Sequence, residues 1–370
     1  MPVQEQETVP LTSDAEIADL LPELSNQAVI AVDTEFNRTS TYRPQLCLVQ
    51  LAAGANSALI DMLTGADYAG LRQLLADDPG LKLFHAGKQD LEALQLTFGW
   101  LPNRILDTQI AAGLLGYPAQ AGYATLVEEL LGLQLDKAAT RTDWSRRPLS
   151  DAQLHYARDD VVYLLQVYDR LHARLLAAGR YEWALEDSAA LLDPALYVVE
   201  PAAAWRKLGG LTRLPVPALA RARAIATWRE ERAQSIDRPR QWVLADKAVL
   251  NIARADPPDA AALARVPDVP PAVARRQARD LLEALARGNN MLKTDSVDLQ
   301  PEPRPEPPDP AALKALAKLV GNCADGLGVA PEILATRKEL TGILRGEYEQ
   351  RVTGGWRREV IGAELLAAVA

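Results

Sequence analysis

The sequence predicts a mixed α/β sheet domain followed by an all-α region. Strand-like runs come first and then alternate with helical stretches, the order expected of a mixed sheet. Strand signals stop after about residue 204. The composition, 48% hydrophobic and 24% charged over 370 residues, is that of a folded chain. At about 150 residues per domain, that length gives two or three domains.

The elements follow in order. Gln27–Phe36 carries the apolar run Ala-Val-Ile-Ala-Val, Leu46–Ala52 alternates, and Ala58–Met62 is a short third run. Turn-forming residues separate them, so consecutive antiparallel pairing is plausible. Residues 67–77 read as helix, 81–85 as strand, and 89–98 as helix. Residues 105–115 enter a helix from a short strand, and 123–131 and 150–177 repeat apolar residues at helical spacing. Residues 219–232, 246–255 and 271–285 are helical and rich in Arg, Ala and Leu. Residues 300–310 carry prolines at a density with no helix or sheet solution, which predicts an extended linker. Two further helices are expected at about 311–320 and 331–350.

Charge divides the chain as well. Residues 1–204 hold 14 Lys/Arg against 28 Asp/Glu, whereas residues 205–291 hold 16 against 9. A basic block beside an acidic one fits a nucleic-acid partner, and equally fits solvated Arg-rich helices. The two cysteines, Cys47 and Cys323, exclude a disulfide framework and a Cys-rich zinc site. They point to a reducing cytoplasm. No apolar run is long enough to span a membrane, and Met1–Glu7 lacks the features of a secretory signal.

Four carboxylates carry the chemistry. Asp33 and Glu35 end the first strand two residues apart, hence on one face. Side by side they repel unless a cation sits between them. Asp90 lies in the first turn of the helix after the strand at 81–85, where a favourable helix-dipole position is its simpler explanation. Asp160 lies four residues after Tyr156, on one helix face that Leu164 continues toward the core. Asp159 is rotated toward solvent. Oxygen-only ligands favour Mg²⁺ or Mn²⁺ over zinc. Acids gathered from separate elements suit a pair of metals that activates water and stabilises a leaving oxygen in phosphodiester cleavage. Tyr156 is placed to orient that water.

The sequence resembles the ribonuclease D family of the DEDD exonuclease superfamily, in the branch with a tyrosine in its third motif. The resemblance rests on Val32-Asp33-Thr34-Glu35-Phe36, on His85-Ala86-Gly87-Lys88-Gln89-Asp90-Leu91, and on Tyr156-Ala157-Arg158-Asp159-Asp160. Residues 41–46, 106–109 and 141–149 fit the same pattern, and the resemblance covers nearly the whole chain. It implies a ribonuclease H-like 3′–5′ exonuclease domain over residues 1–204. A basic HRDC domain at 205–291, a Pro-rich linker at 292–310 and a second HRDC-like helical domain at 311–370 would follow. On that division, removing residues 292–370 spares mononucleotide release. The resemblance further implies Asp33, Glu35 and Asp160 as ligands of a first Mg²⁺ or Mn²⁺. Asp33 would bridge to a second ion supported by Asp90, and Tyr156 would position the water. The substrates would be tRNA precursors and other small structured RNAs with 3′ extensions, shortened to nucleoside 5′-monophosphates by a monomer with no membrane association. A DNA-directed exonuclease of the same superfamily, or a catalytically silent RNA-binding relative, are the competing readings. No GxxxxGK[ST] phosphate loop is present, which excludes a helicase.

Five residues are weighed for substrate contact. Arg141, Trp144 and Arg146, together with Arg147, combine charge and an aromatic ring in a loop that either grips RNA or is buried as structure. Phe36 either wedges against the terminal base or packs. Asp107 is expected to cap a helix with Thr108, and His85 to be a packed core histidine. Trp228 and Trp242 are left without a role.

Overall fold

Val29-Ile30-Ala31-Val32 begins the central strand of a five-stranded sheet in a computed structural model that describes residues 9–25, 27–135, 142–294 and 307–370. The strands are β1 (Val29–Asn37), β2 (Gln45–Ala53), β3 (Asn56–Asp61), β4 (Leu81–Phe84) and β5 (Ile105–Asp107), in the order β3-β2-β1-β4-β5. β2 and β3 pair antiparallel, from Leu48↔Asp61 to Ala53↔Asn56. β1 and β4 run parallel, with Ala31 opposite Leu83, and β4 and β5 are also parallel. The sheet is therefore mixed, as expected from strands that first follow one another and then alternate with helices. No helix among the described residues is long and apolar enough to cross a membrane.

Contacts divide the chain into two units. The first holds residues 1–37, 46–196 and 307–370. Its helices before residue 196 are α1 (Asp14–Leu24), α2 (Ala69–Arg72), α3 (Lys88–Phe98), α4 (Thr108–Gly113), α5 (Tyr123–Leu131), α6 (Asp151–Ala177) and α7 (Tyr181–Ala189). α6 begins at a capping box in which Ser150 and Gln153 each satisfy the other's backbone N–H, the pattern that serine followed by glutamine three residues later encodes. One face of α6 then buries Val161, Leu164, Val167, Leu171 and Leu175 against Ala31, Leu83 and Leu106 of the sheet. Each such side chain contributes roughly 1.5–3 kcal/mol relative to exposure.

The same core continues into the C-terminal helices. Leu313, Leu316, Val320, Leu340 and Trp356 belong to it. The sequence-based division placed residues 311–370 in a domain of their own; the contacts instead join them to the exonuclease region. Apolar periodicity showed that these helices have a buried face but not what the face packs against. The Pro-rich linker lies mostly outside the described residues.

The second unit comprises residues 38–45 and 197–306. Its long helix α8 (Val216–Ser235) is buried along much of its length. Inside, Arg221 donates to Ala253 O at 2.7 Å, and Arg229 to Leu244 O at 2.9 Å and Asp246 at 2.6 Å. These bonds, not solvent, absorb part of the charge that marked this region as basic. Gly288 lies so close that a Cβ there would sit 2.7 Å from the Arg221 Cα.

Residues 38–45 join this unit although they connect β1 to β2. Asp237 accepts from the N–H groups of Tyr42 and Arg43 at 3.1 and 3.0 Å. The Tyr42 hydroxyl donates to Glu230, a fully buried carboxylate that Arg240 also pairs at 3.0 Å. Tyr42→Phe removes one of those partners. It is expected to cost the helical unit about 1–3 kcal/mol, read as faster hydrogen exchange along α8 at unchanged pH.

Candidate active site

Strand alternation on β1 sends Asp33 and Glu35 to the face that α6 covers and Thr34 to the opposite face. Tyr156 and Asp160 stand one turn apart on α6. Three carboxylates consequently converge: one oxygen each from Asp33, Glu35 and Asp160 lies within 4.8 Å of the others. Ligand distances of about 2.0–2.6 Å on opposite sides of one hard cation span that spacing. The donor set is all oxygen and half-buried, which favours a hard divalent cation over zinc.

Asp90, the fourth acid expected from the sequence, stands behind the strand, outside the group of three carboxylates and outside the cleft lining. It is 8% exposed, and the Thr34 hydroxyl donates to its Oδ1 at 2.5 Å. Thr34, between the two acids of β1, thus ties α3 to the strand that carries them. Spacing along the sequence did not single Thr34 out.

The electrostatics are those of a site built for positive charge. Burial first, then Asp90, Asp160 and Glu35, pushes the Asp33 carboxyl well above the usual carboxylate range. Burial, with Asp160 and Asp90, raises Glu35 to about 9. Burial raises Asp160 to about 7 despite a hydrogen bond from Tyr156 that opposes it, and Asp90 to about 6 despite the one from Thr34. A bound divalent cation would relieve each of these costs.

Asp33, Glu35 and Asp160 line a cleft of about 360 Å³. Tyr156, Leu164, His85, Tyr123 and Leu135 are among its other walls. Tyr123 went unnoticed in the sequence; its hydroxyl donates to Asp159 O at 2.9 Å, and an exposed-looking tyrosine at a helix start gives no signal of that. His85 is partly a packed residue, its Nδ1 2.9 Å from the Thr108 hydroxyl, and also part of the cleft. Asp107 caps α4 by accepting from Gln109 N at 2.8 Å.

The loop before α6 resolves into different roles. Trp144 is 3% exposed, packed with Cys47, Leu48, Leu59 and Ala157. It therefore does not stack on a nucleobase. Its ring centroid lies 6.1 Å from that of Tyr156, so it backs the tyrosine. Arg147 is structural, donating to Asp61 at 2.5 and 2.7 Å and to the Cys47 carbonyl. Arg146 is exposed and, among the described residues, pairs with Asp143 at 3.2 Å. Phe36 is half-buried and is not among the residues lining the cleft. Arg141 lies outside the described residues.

Comparison with known proteins identifies the family of the chain and of both regions. The sequence matches the 3′–5′ exonuclease family over residues 8–176 and the HRDC domain over residues 218–285. It is 39% identical to ribonuclease D of Granulibacter bethesdensis, covering 96% of this chain and 91% of that one. It is 37% identical to ribonuclease D of Pseudomonas paraeruginosa, covering 97% and 96%. The crystal structure of Escherichia coli RNase D, described as an exoribonuclease involved in structured RNA processing, superimposes with a TM-score of 0.86. The two are 31% identical, over 98% of this chain and 99% of that one. Likeness over essentially the full length, in sequence and in fold, means that the chain belongs to the ribonuclease D family.

Proposed function

We propose that this chain is a 3′–5′ exoribonuclease that releases nucleoside 5′-monophosphates one at a time and matures the 3′ ends of tRNA precursors and other small stable RNAs. It would act as a cytoplasmic monomer. The observation that carries this reading is the convergence of Asp33, Glu35 and Asp160 in a cleft that Tyr156 also lines.

Asp33, Glu35 and Asp160 are the residues that would hold one divalent ion, Mg²⁺ or Mn²⁺, with Asp33 shared with a second ion that Asp90 supports. Such ions supply activation of water and charge stabilisation at the leaving oxygen. Tyr156, hydrogen-bonded to Asp160 and backed by Trp144, orients the attacking water. Leu135, Leu164 and Tyr123 give the terminal nucleoside an apolar wall. In the helical unit Trp228 is buried, while Trp242 is 63% exposed and free to meet an unpaired base.

Tyr156→Phe is expected to lower kcat by about 10²-fold while Mn²⁺ binding, measured by calorimetry, stays as in the wild type. Undiminished turnover would remove its assigned role. The reading as a whole is tested with 5′-labelled RNA and matching DNA in Mg²⁺, Mn²⁺ or EDTA. Stepwise, metal-dependent shortening of RNA supports it. Faster loss of DNA would move the protein to the DNA-directed alternative, and no shortening of either would favour a binding role.

A further inference from the structure

Asp107 does more than cap a helix. Its side chain is buried at 2% exposure, and besides Gln109 N it accepts from two consecutive backbone N–H groups, Ala86 at 3.1 Å and Gly87 at 2.8 Å. A cap needs only the first of these. The backbone so held does not hold itself. Ala86 has φ +53°, a left-handed conformation that alanine disfavours. Gly87 runs so close to Phe84 that a Cβ on it would lie 2.5 Å from the Phe84 Cβ. This loop leads directly into α3, and three residues after Gly87 comes Asp90 with its hydrogen bond from Thr34.

Asp107 is itself located from the other side. Its N–H donates to the Ser188 hydroxyl at 2.9 Å, and that hydroxyl donates to Ala184 O at 2.6 Å. Ser188 is on α7, fully buried. The residue beside it, Asp187, takes a forked ion pair from Arg357 at 2.5 and 2.6 Å and a bond from the Trp356 indole at 3.0 Å. The rings of Trp356 and Trp183 stack at 4.3 Å. Through the neighbouring residues Asp187 and Ser188 of α7, polar contacts therefore connect the C-terminal helices to Asp107 and to the loop that delivers Asp90.

We infer that Asp107 is a positioning residue for the reaction: by gripping the Ala86 and Gly87 amides it sets where the Asp90 carboxylate stands, and the clamped helix α7 sets Asp107. The inference rests on the reading of Asp90 as support for a divalent ion.

The test compares Asp107→Asn, Ser188→Ala, Asp90→Asn and the double variant Asp107→Asn/Asp90→Asn. Mn²⁺ affinity is titrated by electron paramagnetic resonance, amide exchange is followed at residues 86–87, and kcat and KM are measured on RNA. All are read well below each variant's Tm. Asp107→Asn is expected to weaken Mn²⁺ binding about 10–100-fold, speed exchange at both amides and lower kcat, with KM for RNA unchanged. In the Asp90→Asn background it should weaken Mn²⁺ no further, because it acts through the group already removed. Wild-type Mn²⁺ affinity in folded Asp107→Asn, or an undiminished added loss in the double variant, overturns the inference. Should Asp107→Asn fail to fold, Ser188→Ala should move Mn²⁺ affinity and exchange in the same direction, and no change in either refutes the connection. Wild-type Mn²⁺ binding in Asp90→Asn would instead bring down the reading of Asp90, and the inference with it.

Discussion

Asp33→Asn is expected to abolish exonuclease turnover and, in EDTA at pH 8, to leave the protein more stable than the wild type. Loss of the metal ligand proposed at Asp33 would remove several kcal/mol of transition-state stabilisation, which at tenfold per 1.36 kcal/mol is a fall of at least about 10³-fold. The gain in stability follows from the same carboxylates. Asp33 is raised by burial and by Asp90, Asp160 and Glu35; Glu35 is raised to about 9 and Asp160 to about 7. Folding therefore favours their protonated forms. That contribution is fully present below their unfolded values near 4 and is lost as pH rises through 7 and then 9. Metal-free wild-type protein should lose stability between pH 5 and pH 9, and Mg²⁺ or Mn²⁺ should remove that slope. Asn keeps the shape of Asp33 but not its charge, so the variant should melt roughly 5 °C higher in EDTA at pH 8. Calorimetry at pH 5, 7 and 9, with and without metal, checks this. A variant less stable than the wild type in EDTA would show that the carboxylates do not strain one another.

Ending the chain after residue 306 is expected to unfold the exonuclease unit. The C-terminal helices contribute Leu313, Leu316, Val320 and Trp356 to the core that α6 and the sheet share. Their loss would also strand Asp187, whose side chain is 15% exposed, without Arg357. Arg357→Ala, which removes that pair together with the hydrogen bond to the Ile333 carbonyl, should cost about 3–5 kcal/mol, read as a drop in denaturant midpoint. The truncated chain should be protease-sensitive and inactive on RNA. A soluble truncation with wild-type Tm and RNA trimming would contradict the shared core. The sequence alone led to the opposite expectation, that residues 292–370 are dispensable. A helix shows in its own residues that it has an apolar face, whereas its partner lies elsewhere in the chain.

The same distinction runs through the rest of the molecule. β1 was legible because Ala28–Val32 is a continuous apolar run, and α6 because its period holds from a capping box onward. Asp33 and Glu35 were legible as a pair because strand alternation is local, and Tyr156 with Asp160 because helical spacing is local. The meeting of the two pairs required family motifs. Thr34 and Tyr123 were missed because their roles are made by partners 56 and 36 residues away. Trp144 could be read either as base platform or as core; only its 3% exposure decides. α7 was missed although Tyr181, Ala184, Leu185 and Ser188 repeat at helical spacing, because nine residues give that pattern little weight. The excursion of residues 38–45 into the helical unit has no local signal at all, since Tyr42 and Glu230 meet across 188 residues.

Whether the acidic cleft is a divalent-metal centre is read from anomalous diffraction by crystals of the full chain grown with Mn²⁺. Anomalous density is expected between Asp33, Glu35 and Asp160, with a second peak beside Asp33 that is lost in Asp33→Asn. Mn²⁺ density absent from this cleft at saturating concentration, or found only on exposed carboxylates such as Asp143, would contradict it.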